Sequence, residues 1–208
     1  MNIIEYVRKL PRKAFNKGEI LLSEGDRADS IFAISTGFVK VTALDDDGNE
    51  RLLWIAGRYD IVPTELFFSK SRPLRFFYTA LSDGLAYCID KRTLLDEAKS
   101  DLTMMTEIAT SLSTHYDDLM ERLNSIEKSS VSNKLLSTLR YLAERFDAEP
   151  SVDLYQLGLR LTHQDLADMV GSTRETTSVE LDKLRTAGYI DYDNSKFVVH
   201  TTHMADTL

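Results

Sequence analysis

Arg174 and Glu175 stand side by side in the stretch LTHQDLADMVGSTRETTSVELDKLR, residues 161–185 of this 208-residue chain. An arginine fork matches guanine O6 and N7, and a carboxylate accepts from cytosine N4. Around the pair lie Thr162, His163, Gln164, Ser172, Thr173 and Thr176. Their hydroxyl, imidazole and amide groups are the kinds that bond phosphate oxygens. The chemistry these types offer is recognition of a nucleic acid. The plainer alternative is a helical hairpin whose Arg and Glu are merely solvated.

Such side chains work only if something holds them at one tip. Thr162 is a good N-cap with Asp165 three residues on, and Leu166, Ala167 and Val170 give an apolar face at helical spacing. Gly171 can take the positive φ that ends this first helix. Ser172 or Thr173 then caps a second helix, with Thr177, Leu181 and Leu184 inward and Gly188 beyond its end. Two capped helices about a tight turn predict a helix-turn-helix, whose second helix enters the DNA major groove.

Residues 15–89 read as short strands punctuated by turn chemistry, the pattern of a β-sandwich or barrel. Val39, Val41 and Ala43 alternate with Lys40 and Thr42, and residues 45–49, DDDGN, form a hairpin turn. Ser82, Asp83 and Gly84 are expected to close another hairpin. From Lys91 the pattern turns helical. Leu102, Met105, Ala109, Leu112, Tyr116, Leu119, Leu123 and Ile126 repeat at alternating spacings of three and four. That is an a/d seam, which predicts a coiled coil with a second copy of the chain. The bland alternative is an amphipathic helix packed on its own β-domain. Residues 127–130 read as a hinge, and a further helix carries Leu135, Leu136, Leu139 and Leu142. Residues 188–192 and 196–200 flank a turn and predict a wing.

Hydrophobic content of 43% and charged content of 28% are ordinary for a globular protein. No apolar run approaches a membrane span of about 18 residues, and nothing resembles a signal peptide. A cytoplasmic location without membrane partners is expected. Cys88 stands alone, which excludes an intramolecular disulfide or a four-thiolate iron–sulfur site, and it is expected to be a buried strand residue. The net charge of −8 is unusual for a partner of DNA. Residues 131–208 hold eight Lys and Arg against twelve Asp and Glu. Binding must then rest on a few placed donors and helix N-termini rather than a broad basic surface.

The segments FNKGEILLSEGDRADSIFAISTGFVKV and DDDGNERLL, followed by LTHQDLADMVGSTRETTSVELDKL, resemble the CRP/FNR family of bacterial transcription regulators over almost the whole chain. The resemblance implies an α+β fold in three parts. These are an N-terminal cyclic-nucleotide-binding-type, jelly-roll-like β-roll (1–90), a long coiled-coil dimerisation helix (91–128) and a C-terminal winged helix-turn-helix (129–208). It also implies a homodimer on a palindromic double-stranded DNA site, with RNA polymerase as a further partner.

Departures from the family pattern sharpen the expectation. Arg174 and Glu175 match the Arg-Glu pair of the cyclic-AMP-responsive members, but Val179 stands where they carry a second arginine, so the preferred half-site should differ. In the effector region Glu65 survives for a ribose hydroxyl, whereas Arg75 sits one place from the expected phosphate-binding arginine. Leu119 and Met120 replace the dimer-helix hydroxyls, and aromatic residues at 67–68 and 76–78 accompany them. An effector other than cyclic AMP, gripped by Arg72 or Arg75, or none at all, is expected. No cofactor or metal is assigned. His115 is the first histidine of the chain, which weakens the rival reading of a cupin-like metal enzyme. His200 and His203 look like a frayed surface pair. A dimeric scaffold that binds no DNA is the third reading. No nucleophile elbow, phosphate loop or zinc signature is present, so no catalytic residue is assigned.

Overall fold

The structure, a computed structural model, describes residues 3–27, 29–64, 73–146, 154–193 and 195–200. It divides into two compact units, Met1–Asp117 and Asp118–Leu208. The first begins with a short helix, α1 (Ile3–Val7), and holds strands β1 (Arg12–Phe15), β2 (Ile20–Leu22), β3 (Ser30–Thr36), β4 (Val39–Leu44), β5 (Glu50–Ala56), β6 (Ile61–Val62), β7 (Phe77–Ala80) and β8 (Gly84–Asp90). They form two four-stranded sheets, in the orders β1-β8-β3-β6 and β2-β7-β4-β5.

Side-chain alternation along β3 explains how one strand serves two cores. Phe32 and Ile34 join Val39, Val41, Trp54 and Tyr78 in one cluster, whereas Ile31 and Ala33 join a second with Tyr87, Ile89 and Leu94. Helices α2 (Lys91–Ser100) and α3 (Leu102–Ile126) help cover that second cluster. Met104 and Ile108 of α3 are completely buried in it. Each such burial is worth roughly 1.5–3 kcal/mol.

The 45–49 turn is a true hairpin: Asp45 Oδ1 accepts from the amides of Asp47 and Asn49, at 3.1 and 2.8 Å, between paired β4 and β5. The expected hairpin at Ser82, Asp83 and Gly84 is overturned. β7 pairs with β2 and β4, while β8 pairs with β1 and β3, so this tripeptide carries the chain from one sheet to the other. It is fastened at both ends, Ser82 Oγ accepting from the Phe38 amide at 3.0 Å and Asp83 from the Lys17 amide at 2.8 Å. A Cβ on Gly84 would lie 2.3 Å from the Thr36 carbonyl oxygen, so only glycine allows this approach.

Two helices, not one, occupy residues 91–128. Asp101 leaves helical geometry at φ −128° and ψ 101° and accepts from the Met104 amide at 3.1 Å, ending α2 and starting α3. Cys88 is half-buried in β8 rather than fully enclosed.

The second unit takes the last turns of α3 and adds α4 (Val131–Phe146), β9 (Leu154–Gln156), α5 (His163–Val170), α6 (Arg174–Thr186), β10 (Ile190–Asp193) and β11 (Lys196–His200). The strands form a sheet in the order β10-β11-β9. Among the described residues no helix is long and apolar enough to cross a membrane.

Candidate nucleic-acid interface

The helix pair at the tip is set by its caps. Thr162 forms a full capping box: its hydroxyl accepts from the Asp165 amide at 3.1 Å, and the Asp165 carboxylate accepts from the Thr162 amide at 2.8 Å. Gly171 closes α5 at φ 67° and ψ 46°. Of the two residues considered for the next cap, Thr173 holds it, accepting from the Thr176 amide at 3.1 Å. Leu166, Ala167 and Val170 face inward on α5, and Thr177, Leu181 and Leu184 do so on α6.

With its inner face buried, α6 presents Arg174, Glu175 and Thr176 to solvent, joined by Thr173, with Ser172 half-exposed. Val179, one turn on, is 55% exposed. Lys183 and Arg185 are paired with Glu180 and Asp182, at 2.6 and 2.8 Å. Arg174 has no acidic partner among the described residues. A cation left unpaired beside an exposed helix N-terminus is available to a polyanion.

The remaining candidates differ in freedom. The Thr162 hydroxyl proton goes to Asp165 Oδ2 at 2.6 Å, so this side chain serves its cap. Gln164 donates to Asp168 at 2.7 Å from an exposed position. His163 Nδ1 lies 2.8 Å from Ser178 Oγ, whose own proton goes to the Arg174 carbonyl at 2.9 Å. Nδ1 therefore donates, leaving Nε2 of the half-buried ring.

The wing is fastened to the same helices. Tyr192 donates to Asp182 at 2.9 Å, lies under the Arg185 guanidinium at 4.8 Å and meets the His163 ring edge-on at 5.4 Å. Burial, then the bond to Asp182, pushes its phenol pKa up. His200 belongs to β11, its Nε2 2.9 Å from Asp191, so it is not frayed; His203 lies outside the described residues.

A mount for this tip escaped the sequence reading. Arg122, near the end of α3, is 6% exposed and donates to Ser125 Oγ at 3.1 Å, Thr138 Oγ1 at 3.5 Å and the Met169 carbonyl. It thus ties α3 to α4 and to the C-terminal end of α5. Burial pushes its guanidinium down to about 10. Asp118 pairs with Arg145 of α4 in the same unit. The 127–130 turn, expected to be a hinge, lies inside this unit, because both sides of it are bonded together.

The other predicted sites fare differently. Glu65 and Arg72 lie outside the described residues, as do residues 67–68; Arg75 is exposed. Along α3, Leu102, Tyr116, Leu119, Met120 and Leu123 are 82%, 61%, 40%, 47% and 48% exposed. Ala109 is exposed as well, whereas Met105, Leu112 and Ile126 are half-buried. Among the described residues no group of three His, Cys, Asp or Glu is placed to hold a metal ion.

Residues 12–101 match the family described as Cyclic nucleotide-binding domain, and residues 133–203 match the Crp-like helix-turn-helix domain. The chain belongs to the CRP/FNR family of transcription regulators. It is 27% identical to the Anaerobic regulatory protein of Bacillus subtilis (strain 168), over 91% of this chain and 79% of the relative. Against the CRP-like cAMP-activated global transcriptional regulator of Mycobacterium tuberculosis identity is 25%, over 95% and 87%. The CRP/FNR fold is equally plain in solved structures. FixK2 from Bradyrhizobium japonicum superposes with a TM-score of 0.78 at 16% identity, covering 94% of each chain. The c-di-GMP responsive regulator CLP of Xanthomonas campestris gives 0.76 at 21% identity, covering 95% and 97%.

Proposed function

We propose that this CRP/FNR regulator acts as a homodimer on palindromic double-stranded DNA, each copy reading one half-site with the first turn of α6. Arg174 and Glu175 address bases. Gln164, Ser172 and Thr176, with the α6 amides, hold phosphates. His163 joins them as the imidazolium, donating from Nε2 while Nδ1 stays on Ser178. Thr173 caps α6 with its proton on Thr176, while exposed Lys196 of the wing adds a cation. The observation that carries this reading is the exposed Arg174, without an acidic partner among the described residues, on a helix whose opposite face is core. The seam on α3 supports the dimer: four of its large apolar side chains, Leu102, Tyr116, Leu119 and Leu123, stand in solvent in a single copy, with Met120 beside them.

The reading extends to a β-roll domain that takes an effector other than cyclic AMP or none, with Glu65, Arg72 and Arg75 as the contacts to examine. It also extends to RNA polymerase as a partner and to action in the cytoplasm, where the DNA is. Selection on random duplex DNA is the test. Two half-sites about 34 Å apart are expected, with binding that weakens as salt rises. Recovery of unselected sequence at every salt concentration would refute the assignment.

A further inference from the structure

A cavity of about 210 Å³ opens at the border of the second core cluster, on the α1 side of the β1-β8-β3-β6 sheet, and none of the residues considered for effector or DNA lines it. Its floor follows from register. Ala33 is paired with Ile61 on one side and Tyr87 on the other, so a methyl group stands between two large side chains. The short side chain leaves a hollow, and Val7 of α1 closes it as an apolar wall.

The rim is cationic. Arg8 follows Val7 in the chain, Arg58 comes from the turn between β5 and β6, and Ser35 lines the cavity from the bulge in β3 between Ile34 and Thr36. Neither arginine has an ion-pair partner among the described residues. Arg58 lies over the Tyr59 ring at 4.7 Å, and Tyr59 is 50% exposed. Tyr59 also holds a φ of 75°, unusual for a residue with a Cβ. Three backbone bonds clamp it there: the Tyr59 amide donates to the Ile34 carbonyl and the Ile34 amide to the Asp60 carbonyl, both at 2.9 Å. The third runs from the Asp60 amide to the Gly57 carbonyl at 3.1 Å. A rigid turn thus holds an aromatic ring and a guanidinium at the mouth of an apolar hollow.

We propose that this cavity binds a small carboxylic acid with a flat apolar body. The body lies over Ala33 between Ile61 and Tyr87, and the carboxylate meets Arg8, Arg58 and Ser35. Charge-assisted bonds from two guanidinium groups suit a carboxylate, and the apolar floor selects against a bare hydrated anion. The proposal does not depend on the DNA-binding reading.

Isothermal titration of the full chain with benzoate, acetate and benzyl alcohol separates the two contributions. Saturable benzoate binding about tenfold tighter than either control is expected. Arg8→Gln and Arg58→Gln should each weaken benzoate by about tenfold, and the double variant should abolish binding. Both arginines are exposed, so the circular dichroism melt should be unchanged. Ala33→Leu fills the hollow and should abolish benzoate binding with both arginines in place. Absence of saturable benzoate binding, equal binding of benzyl alcohol, or undiminished binding by the folded double variant would each overturn the site.

Discussion

Arg174 is the α6 cation without an acid beside it among the described residues, and that sets its expected energetic weight. Arg174→Ala should weaken the selected site by about 1–3 kcal/mol and relax discrimination at one base pair, read by competition binding on single-base variants. Equal weakening on random and specific DNA would make it a phosphate contact instead. Val179 presents an apolar surface where an arginine fork would reach guanine. Val179→Arg should therefore add a guanine preference of about 1–3 kcal/mol at one position of the half-site, measurable in the same competition. Arg122 tests a different balance, since it is a buried charge held by a carbonyl and hydroxyls. Arg122→Ala should cost about 3 kcal/mol in urea unfolding, by leaving both a cavity and an unbonded Met169 carbonyl. Arg122→Met keeps the volume and removes the charge, so its cost should be less than half of that. Equal losses for the two variants would mean that the hydrogen bonds, not the packing, dominate.

Among the elements, what the sequence showed was whatever is written locally. The capping box, the αL glycine and the inward faces of α5 and α6 each lie within a few residues of one another, so spacing alone revealed them. The apolar row on α3 is local too, but its members divide: Leu102, Tyr116, Leu119 and Leu123 are exposed, whereas Met105 and Leu112 pack on the second core cluster of their own unit. Met104 and Ile108 were not legible, because they pack on strands that only tertiary structure brings beneath them. Strand partnership failed likewise: the 82–84 turn looked like a hairpin, yet its flanking strands belong to different sheets. The two-residue β6 and the short β9 are made by their neighbours rather than by local propensity. Replacing the exposed Leu119 and Leu123 by Asp tests the seam, since Leu112 also packs on the core of its own unit. The mass by light scattering should fall to that of a single copy, because a charge in an a/d layer is desolvated on pairing. Unchanged mass would return α3 to the alternative of a helix serving its own copy.

Across the molecule, the net charge of −8 sets how the chain can approach a polyanion. With few free cations on the reading unit, binding should depend less steeply on salt than in a basic regulator. Lys196→Ala should lower the slope of log K against log salt by about 1 per copy, at little cost to sequence preference. A changed base preference would mean that the wing itself reads sequence.

The partition of α3 has a practical consequence for anyone recombining such regulators. Splicing at the turn before α4, where the sequence invites a cut, would strand Asp118 and Arg122 on the donor of the N-terminal half and sever them from Arg145, Thr138 and Met169. A graft at the 117/118 peptide keeps those bonds with their natural owners. Of two such hybrids, the one joined within the helix should be the one that folds cooperatively.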